Sequence, residues 1–293
     1  MSDYSRRDFL KTGLVAGALA GSGSLALGAA RKSATDWVTL GRSNVSVTRL
    51  AFGTGSMSGQ VQESLGQQEF TRLVRYAYDR GIRFYETSES YGETPRMLGV
   101  ALQGLPRESY RIMNKVTTFH NVDPHAKLED LRKTVNTDYF DIMLLHWQHT
   151  ATWPQDTGHW QDAILAAEQK KTIVSHGASV HGLPALRQVP GNKWLDVAMI
   201  RVNHNGTRMD AEVPDTAELG NVSEVVKRVQ QVRKEGMGVI SMKLIGEGVF
   251  NREDRQKAMR FAFQTAGVDS VTVGYKNTAE IDEAIENLNL ALV

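Results

Sequence analysis

Cysteine is missing from all 293 residues, which removes disulfide pairing and thiolate chemistry together. Such a chain suits a compartment where a stray thiol would be oxidised. Surplus charge is lacking too. The 34 Lys and Arg face 33 Asp and Glu, a formal net charge of +1, so no basic field exists to recruit nucleic acid. No apolar run reaches the roughly 20 predominantly apolar residues that a membrane span needs. The uncharged stretch from Thr12 to Ala30 is diluted by Gly13, Gly17, Gly21, Gly23 and Gly28. A dinucleotide fingerprint is also wanting. Gly53, Gly55 and Gly59 have the wrong spacing, and no acidic residue follows a second strand at the required distance. Close backbone approach to a substrate or cofactor is the better account of these glycines. No low-complexity linker interrupts the chain.

What is present begins with an address. Ser5-Arg6-Arg7-Asp8-Phe9-Leu10-Lys11 resembles a twin-arginine export signal, and its weakly hydrophobic tail fits that assignment better than an anchor. Ser24-Leu25-Ala26 and Gly28-Ala29-Ala30 are both suitable cleavage sites. Residues 1–30 are therefore set apart from the folded domain, 31–293. The resemblance implies the twin-arginine machinery as a partner, a periplasmic or otherwise exported location, and no stable membrane association after cleavage.

Past the address, Trp37-Val-Thr-Leu and Val45-Ser-Val-Thr flank a polar turn and predict a β-hairpin. Strand and helix patterns then alternate. Strands are predicted at 50–53, 82–85, 110–116, 140–147, 172–178, 195–203, 239–245 and 268–273, and helical stripes such as Phe70, Leu73, Val74, Ala77, Tyr78 fall between them. Eight strand–helix pairs from Leu50 to Leu292 predict an α/β fold, a (β/α)8 TIM barrel with an N-terminal β-hairpin.

Such barrels place chemistry at the carboxyl ends of their strands. Three successive predicted strand ends carry Glu86 and Tyr91, then Lys115, then His146. These four residues, in this order, resemble the catalytic tetrad of the aldo-keto reductases, from about Trp37 to the end. The resemblance implies reversible carbonyl/alcohol interconversion by hydride transfer with NADP or NAD. It makes Tyr91 the acid/base, Lys115 the group that lowers the phenol pKa, Glu86 the lysine's partner, and His146 the polariser of the carbonyl. The family's usual aspartate is replaced by Glu86, one methylene longer, which puts lysine placement in question.

Cofactor contacts implied by the same resemblance are Gly53 and Thr54, then Ser179, then Lys243, Leu244 and Gly246, then Gly274, Lys276, Asn277 and Glu280. Two positions depart from the pattern. Val180 stands where an asparagine usually accompanies Ser179. Glu280 stands where an arginine usually holds the 2′-phosphate, which weakens the case for NADP and leaves the choice open. Glu280 can instead complete a capping box with Asn277. A nicotinamide pool is not expected outside the cytoplasm, so the cofactor is expected to be carried out in the folded protein and held tightly.

For substrate, Trp147, His149, His181 and His204 follow successive strands, and rings over a barrel mouth suit a sugar or another polar carbonyl compound. The chain stops after the final predicted helix, where many family members continue into a covering loop, so a more open site is expected. Two rivals stand beside this. All eight histidines fall between the third and seventh strands, as in a metal-dependent barrel hydrolase, but no His-x-His follows the first strand and no acid–histidine cluster has ligand spacing, so no metal is expected. A catalytically weak barrel acting as a ligand-binding protein is favoured by Glu86 and Val180.

Overall fold

The computed structural model describes residues 32–119, 121–216 and 218–293, and the export signal lies outside them. Trp37–Thr39 (β1) and Ser46–Thr48 (β2) pair antiparallel, with Trp37 opposite Thr48, as the predicted hairpin. Eight further strands follow: Leu50–Gly53 (β3), Phe84–Glu86 (β4), Arg111–Thr117 (β5), Phe140–Gln148 (β6), Ile173–Val180 (β7), Val197–Arg201 (β8), Gly238–Met242 (β9) and Ser270–Val273 (β10). Each pairs in parallel with its neighbours, and β10 pairs with β3 to close the barrel. This is the predicted eight-fold α/β barrel. Among the described residues no helix is long and apolar enough to cross a membrane.

Side chains alternate along a strand, so every second residue enters the barrel. Ala51, Phe84, Met113, Ile142, Leu144, Val197, Met199 and Ile240 form that interior, and Leu40, Val45 and Val47 of the hairpin pack into the same cluster. Each fully buried aliphatic side chain contributes about 1.5–3 kcal/mol. The hairpin is pinned by a bridge between Gly41 and Met237. Only glycine fits there, since φ is +48° and a Cβ would lie 2.3 Å from the Gly236 carbonyl oxygen. Outside the barrel, helices lay apolar stripes on the strands, as Phe70, Leu73, Val74 and Ala77 do on Gly66–Asp79.

Most strand boundaries differ from expectation by one to three residues, and three of the differences have a plain local reason. The second barrel strand starts at Phe84, not Ile82, because the Ile82 N–H donates to Ala77 O at 2.9 Å to close the preceding helix through Gly81 (φ +94°). β9 ends at Met242, not Ile245, because Lys243 turns into the left-handed region at φ +54°. β8 ends at Arg201 and not Asn203, whose side-chain oxygen instead accepts the Gly206 N–H at 2.9 Å within the next loop.

One acid–histidine group lies apart from the strand ends that carry Glu86, Lys115 and His146. His176 Nδ1 lies 2.6 Å from Glu168 Oε1, its Nε2 2.5 Å from Trp194 O, and Asp196 is 3.8 Å away. Both nitrogens face acceptors, so in its protonated form the ring donates to Glu168 and to the Trp194 carbonyl. Burial pushes this imidazole down, but the hydrogen bond to Glu168 and the charges of Glu168 and Asp196 outweigh it and raise its pKa. A group raised in the folded state adds stability that is complete below its unfolded pKa, about 6.5, and is lost as pH rises through the folded value. Unfolding free energy, measured with urea, is therefore expected to fall as pH rises from about 6.5, and His176→Gln is expected to flatten that fall.

Candidate active site

Alternation also decides what crowns the interior. Two residues above Phe84, Met113 and Leu144 stand Glu86, Lys115 and His146, so one side chain from each of three adjacent strands reaches the top of the barrel. Lys115 is fully buried and Glu86 is 3% exposed. The ammonium donates to Glu86 Oε1 and, at 2.8 Å, to Thr87 O. Glu86 Oε2 accepts from Thr272 Oγ1 at 3.1 Å, so both carboxylate oxygens are engaged. Lys115 Nζ lies 4.6 Å from the centroid of the Tyr91 ring, and that ring meets His146 edge-on at 5.6 Å. The four residues are thus in one place. In β6 the register slips between Leu145 and Gln148, and Trp147 adopts φ +57°, a bulge that re-aims the side chains at this point.

The electrostatics depart from expectation in one respect. The Tyr91 phenol is not lowered by the neighbouring ammonium; desolvation and then the Glu247 carboxylate push it well above its ordinary value. Lys115 lies over the ring face and pairs with Glu86. Burial, and then Lys243, draws Lys115 itself well below the usual ammonium range. Burial and the Lys115 charge do the same to His146, which is a neutral imidazole. A protonated phenol and a neutral imidazole facing one cavity are two uncharged partners for a carbonyl oxygen.

Several contributors were not singled out from the sequence. Ser88 Oγ and Ser90 Oγ lie 2.9 and 3.1 Å from His146 Nδ1, fixing the ring from the segment between Glu86 and Tyr91. A Cβ on Gly55 would sit 2.6 Å from the Tyr91 hydroxyl oxygen, so this glycine makes room for the phenol, not for a ligand. A Cβ on Gly53 would likewise lie 2.4 Å from Thr272 Oγ1 and 3.0 Å from Glu86 Oε2.

A cleft runs from Tyr91 and Gly53 past Lys243, Leu244 and Gly274 to Arg255, Lys276 and Glu280. Only glycine fits at position 274, since a Cβ would lie 2.1 Å from Ser56 Oγ. Lys243, Arg255 and Lys276 line the cleft among Glu247, Glu280 and Glu283, and its far end lies at the amino end of helix Thr278–Ala291, a combination that suits an elongated, phosphate-bearing ligand. Lys243 pairs with Glu247, and Arg255 with Glu283 at 2.7 Å. At the far end Glu280 Oε2 accepts the Lys276 N–H at 2.8 Å, and Asn277 caps helix Thr278–Ala291 through the Glu280 N–H at 3.0 Å. Thr54, Ser179, Gly246 and Asn277 do not line this cleft. Thr54 is held by Thr87 at 3.1 Å, and Ser179 Oγ faces His181 Nε2 at 3.3 Å.

A second cavity, about 380 Å³, shares Tyr91 with the cleft and is lined also by His146, Trp147, His181, Arg201 and Asp215. His149 stacks on Trp147 at 4.4 Å beside Phe119. His204 does not join them; it lies 3.5 Å from Asp254 and packs on Phe250. Arg201, a charge inside the apolar run Val197–Arg201, was the legible sign of this side of the site.

Comparison with known proteins agrees with this architecture. Residues 49–259 match the model of the Aldo/keto reductase family, and residues 3–23 match the twin-arginine translocation pathway signal sequence, which marks the chain for export. "Probable aldo-keto reductase 1" of Glycine max is 27% identical over 41% of this chain and 38% of its own length. "L-galactose dehydrogenase" of Arabidopsis thaliana is 30% identical over 73% of this chain and 66% of its own. The chain thus spans less than two thirds of these curated relatives. An aldo-keto reductase from Klebsiella pneumoniae, solved in complex with NADPH, superposes with a TM-score of 0.64 at 15% identity, covering 89% of this chain and 90% of that one. The closed parallel barrel and the match across most of its strands lead to one conclusion: this chain belongs to the aldo/keto reductase family of oxidoreductases.

Proposed function

We propose that this exported protein reduces a polar carbonyl compound, with Tyr91 as proton donor. The observation that carries it is the meeting of carboxylate, ammonium, phenol and imidazole at three adjacent strand ends. A phenol keeps its proton at neutral pH, and Tyr91 shares a cavity with His146, so it is placed to give that proton to a developing alkoxide. His146, neutral and held at Nδ1 by two serine hydroxyls, orients the same oxygen. The Lys115–Glu86 pair holds the floor of the site and fixes the ring above it.

A nicotinamide cofactor, when bound, supplies the hydride. Lys243, Leu244 and the Gly274 backbone would hold its pyrophosphate, and Lys276 and Glu280 its adenosine end. Glu280 already occupies the Lys276 N–H, a donor that a 2′-phosphate would need, and adds a like charge. NADH is therefore the preferred form, retained in the folded protein through export. Trp147, His149 and Phe119 offer ring faces at the mouth for a sugar or similar substrate.

The test is loss of dihydronicotinamide absorbance on adding aldehydes to the purified protein, with NADH and NADPH compared. NADH is expected to give the higher kcat/KM, and Glu280→Arg to shift the ratio about tenfold toward NADPH by replacing repulsion with attraction. No turnover with either cofactor would refute the proposal.

A further inference from the structure

At the cavity mouth, the ends of β6, β7 and β8 converge on a single carboxylate, and it belongs to the chain itself. Asp215, from the loop after β8, takes Arg201 on Oδ1 and the Trp147 indole N–H on Oδ2 at 2.5 Å, with His181 Nδ1 3.8 Å from Oδ1. Arg201 also donates to His181 Nδ1, so that ring is held as an acceptor. The two members of the ion pair are unlike. Arg201 is 4% exposed, and its buried Nε has no partner among the described residues. Asp215 has 39% of its side chain exposed and can rotate into solvent.

Arg201 has a second carboxylate neighbour besides Asp215. Asp210 is fully buried, 3.7 Å from Arg201 Nη1, and fixed by the Gly182 N–H at 2.7 Å. Asp215 fills a receptor that opens on the cavity holding Tyr91 and His146. One guanidinium nitrogen on Oδ1 and an indole N–H on Oδ2 match the two oxygens of a planar carboxylate.

We propose that this receptor seats a carboxylate of the substrate, and that Asp215 occupies it as an internal stand-in. The substrate class is then an anionic carbonyl compound, an aldehyde or keto acid. Its carbonyl lies at Tyr91 and His146, and its carboxylate lies past His181, whose ring centre is 6.1 Å from that of His146. This rests on the redox reading above. In the reaction a hydride passes from a dihydronicotinamide to the carbonyl carbon and the Tyr91 proton to the oxygen; the carboxylate is unchanged.

The experiment compares 4-carboxybenzaldehyde with its neutral isostere 4-nitrobenzaldehyde, using the full chain and NADH. The kcat/KM ratio of the first to the second is expected to exceed about ten, and Arg201→Met to bring it down to about one through KM. Asp215→Asn, an exposed change that leaves the fold's core untouched, is expected to raise the ratio by about threefold or more, by weakening the internal competitor. A wild-type ratio near unity, or one that neither variant moves, overturns the proposal. If neither aldehyde is reduced, the redox reading fails, and calorimetric titration with benzoate decides the receptor separately. Benzoate binding that strengthens in Asp215→Asn upholds the seat; no binding to either protein overturns it.

Discussion

Tyr91→Phe is expected to lower kcat for aldehyde reduction by about 10³-fold, within the range that a positioned acid contributes. The substitution is informative because nearly everything except the proton survives it. The ring keeps its place over Lys115 Nζ and its edge contact with His146. The Gly55 gap, shaped to the phenol, loses one oxygen and gains no clash. KM and cofactor affinity should therefore change little, and the loss should sit in the chemical step. Steady-state kinetics with single-turnover analysis measures this. A variant retaining more than a tenth of wild-type kcat would remove Tyr91 from the reaction and, with it, the proposed chemistry.

The second large effect concerns stability as much as rate. Lys115→Met leaves the Glu86 carboxylate buried with only the Thr272 hydroxyl as a hydrogen-bond partner. Breaking a buried pair from one side costs about 3–5 kcal/mol, because the remaining charge is uncompensated. Urea unfolding should show that loss, together with a fall in kcat of about 10²-fold or more as the ring above loses its support. Glu86→Gln in the same chain should recover most of the stability, since neither charge then remains, yet restore none of the rate. This non-additivity is the signature of a coupled pair. Stabilities that simply add, with the double variant worse than Lys115→Met, would mean the two side chains act independently. Comparison with Glu86→Asp, the residue usual in the family, reports what the extra methylene does to lysine placement.

Much of this was legible in the chain because burial imposes periodicity. The runs at 140–147 and 172–178 showed as strands since a parallel barrel covers both faces, and the residues two places above Phe84, Met113 and Leu144 inherited their position from alternation alone. The limits were equally physical. Ile82 reads as strand until the helix before it needs a donor for Ala77 O. Lys243 reads as a strand residue until its φ is known. Thr272 lies 186 positions from Glu86, and no local pattern announces that bond. The direction of the Tyr91 shift depends on how desolvation and the Glu247 carboxylate weigh against Arg201, a balance that only packing settles. Thr54 and Asn277 have polar groups suited to a ligand, and in the fold those groups also bond Thr87 and the Glu280 N–H.

The seam between β10 and β3 carries a last consequence. Val271 pairs with Leu50, and Ser270 Oγ donates to Arg49 O across 221 positions. A ring of strands sealed by so distant a partnership cannot be finished while the polypeptide is still emerging from the ribosome, and contacts of such range form slowly. Closure of the barrel is thereby deferred until its last strand has been made.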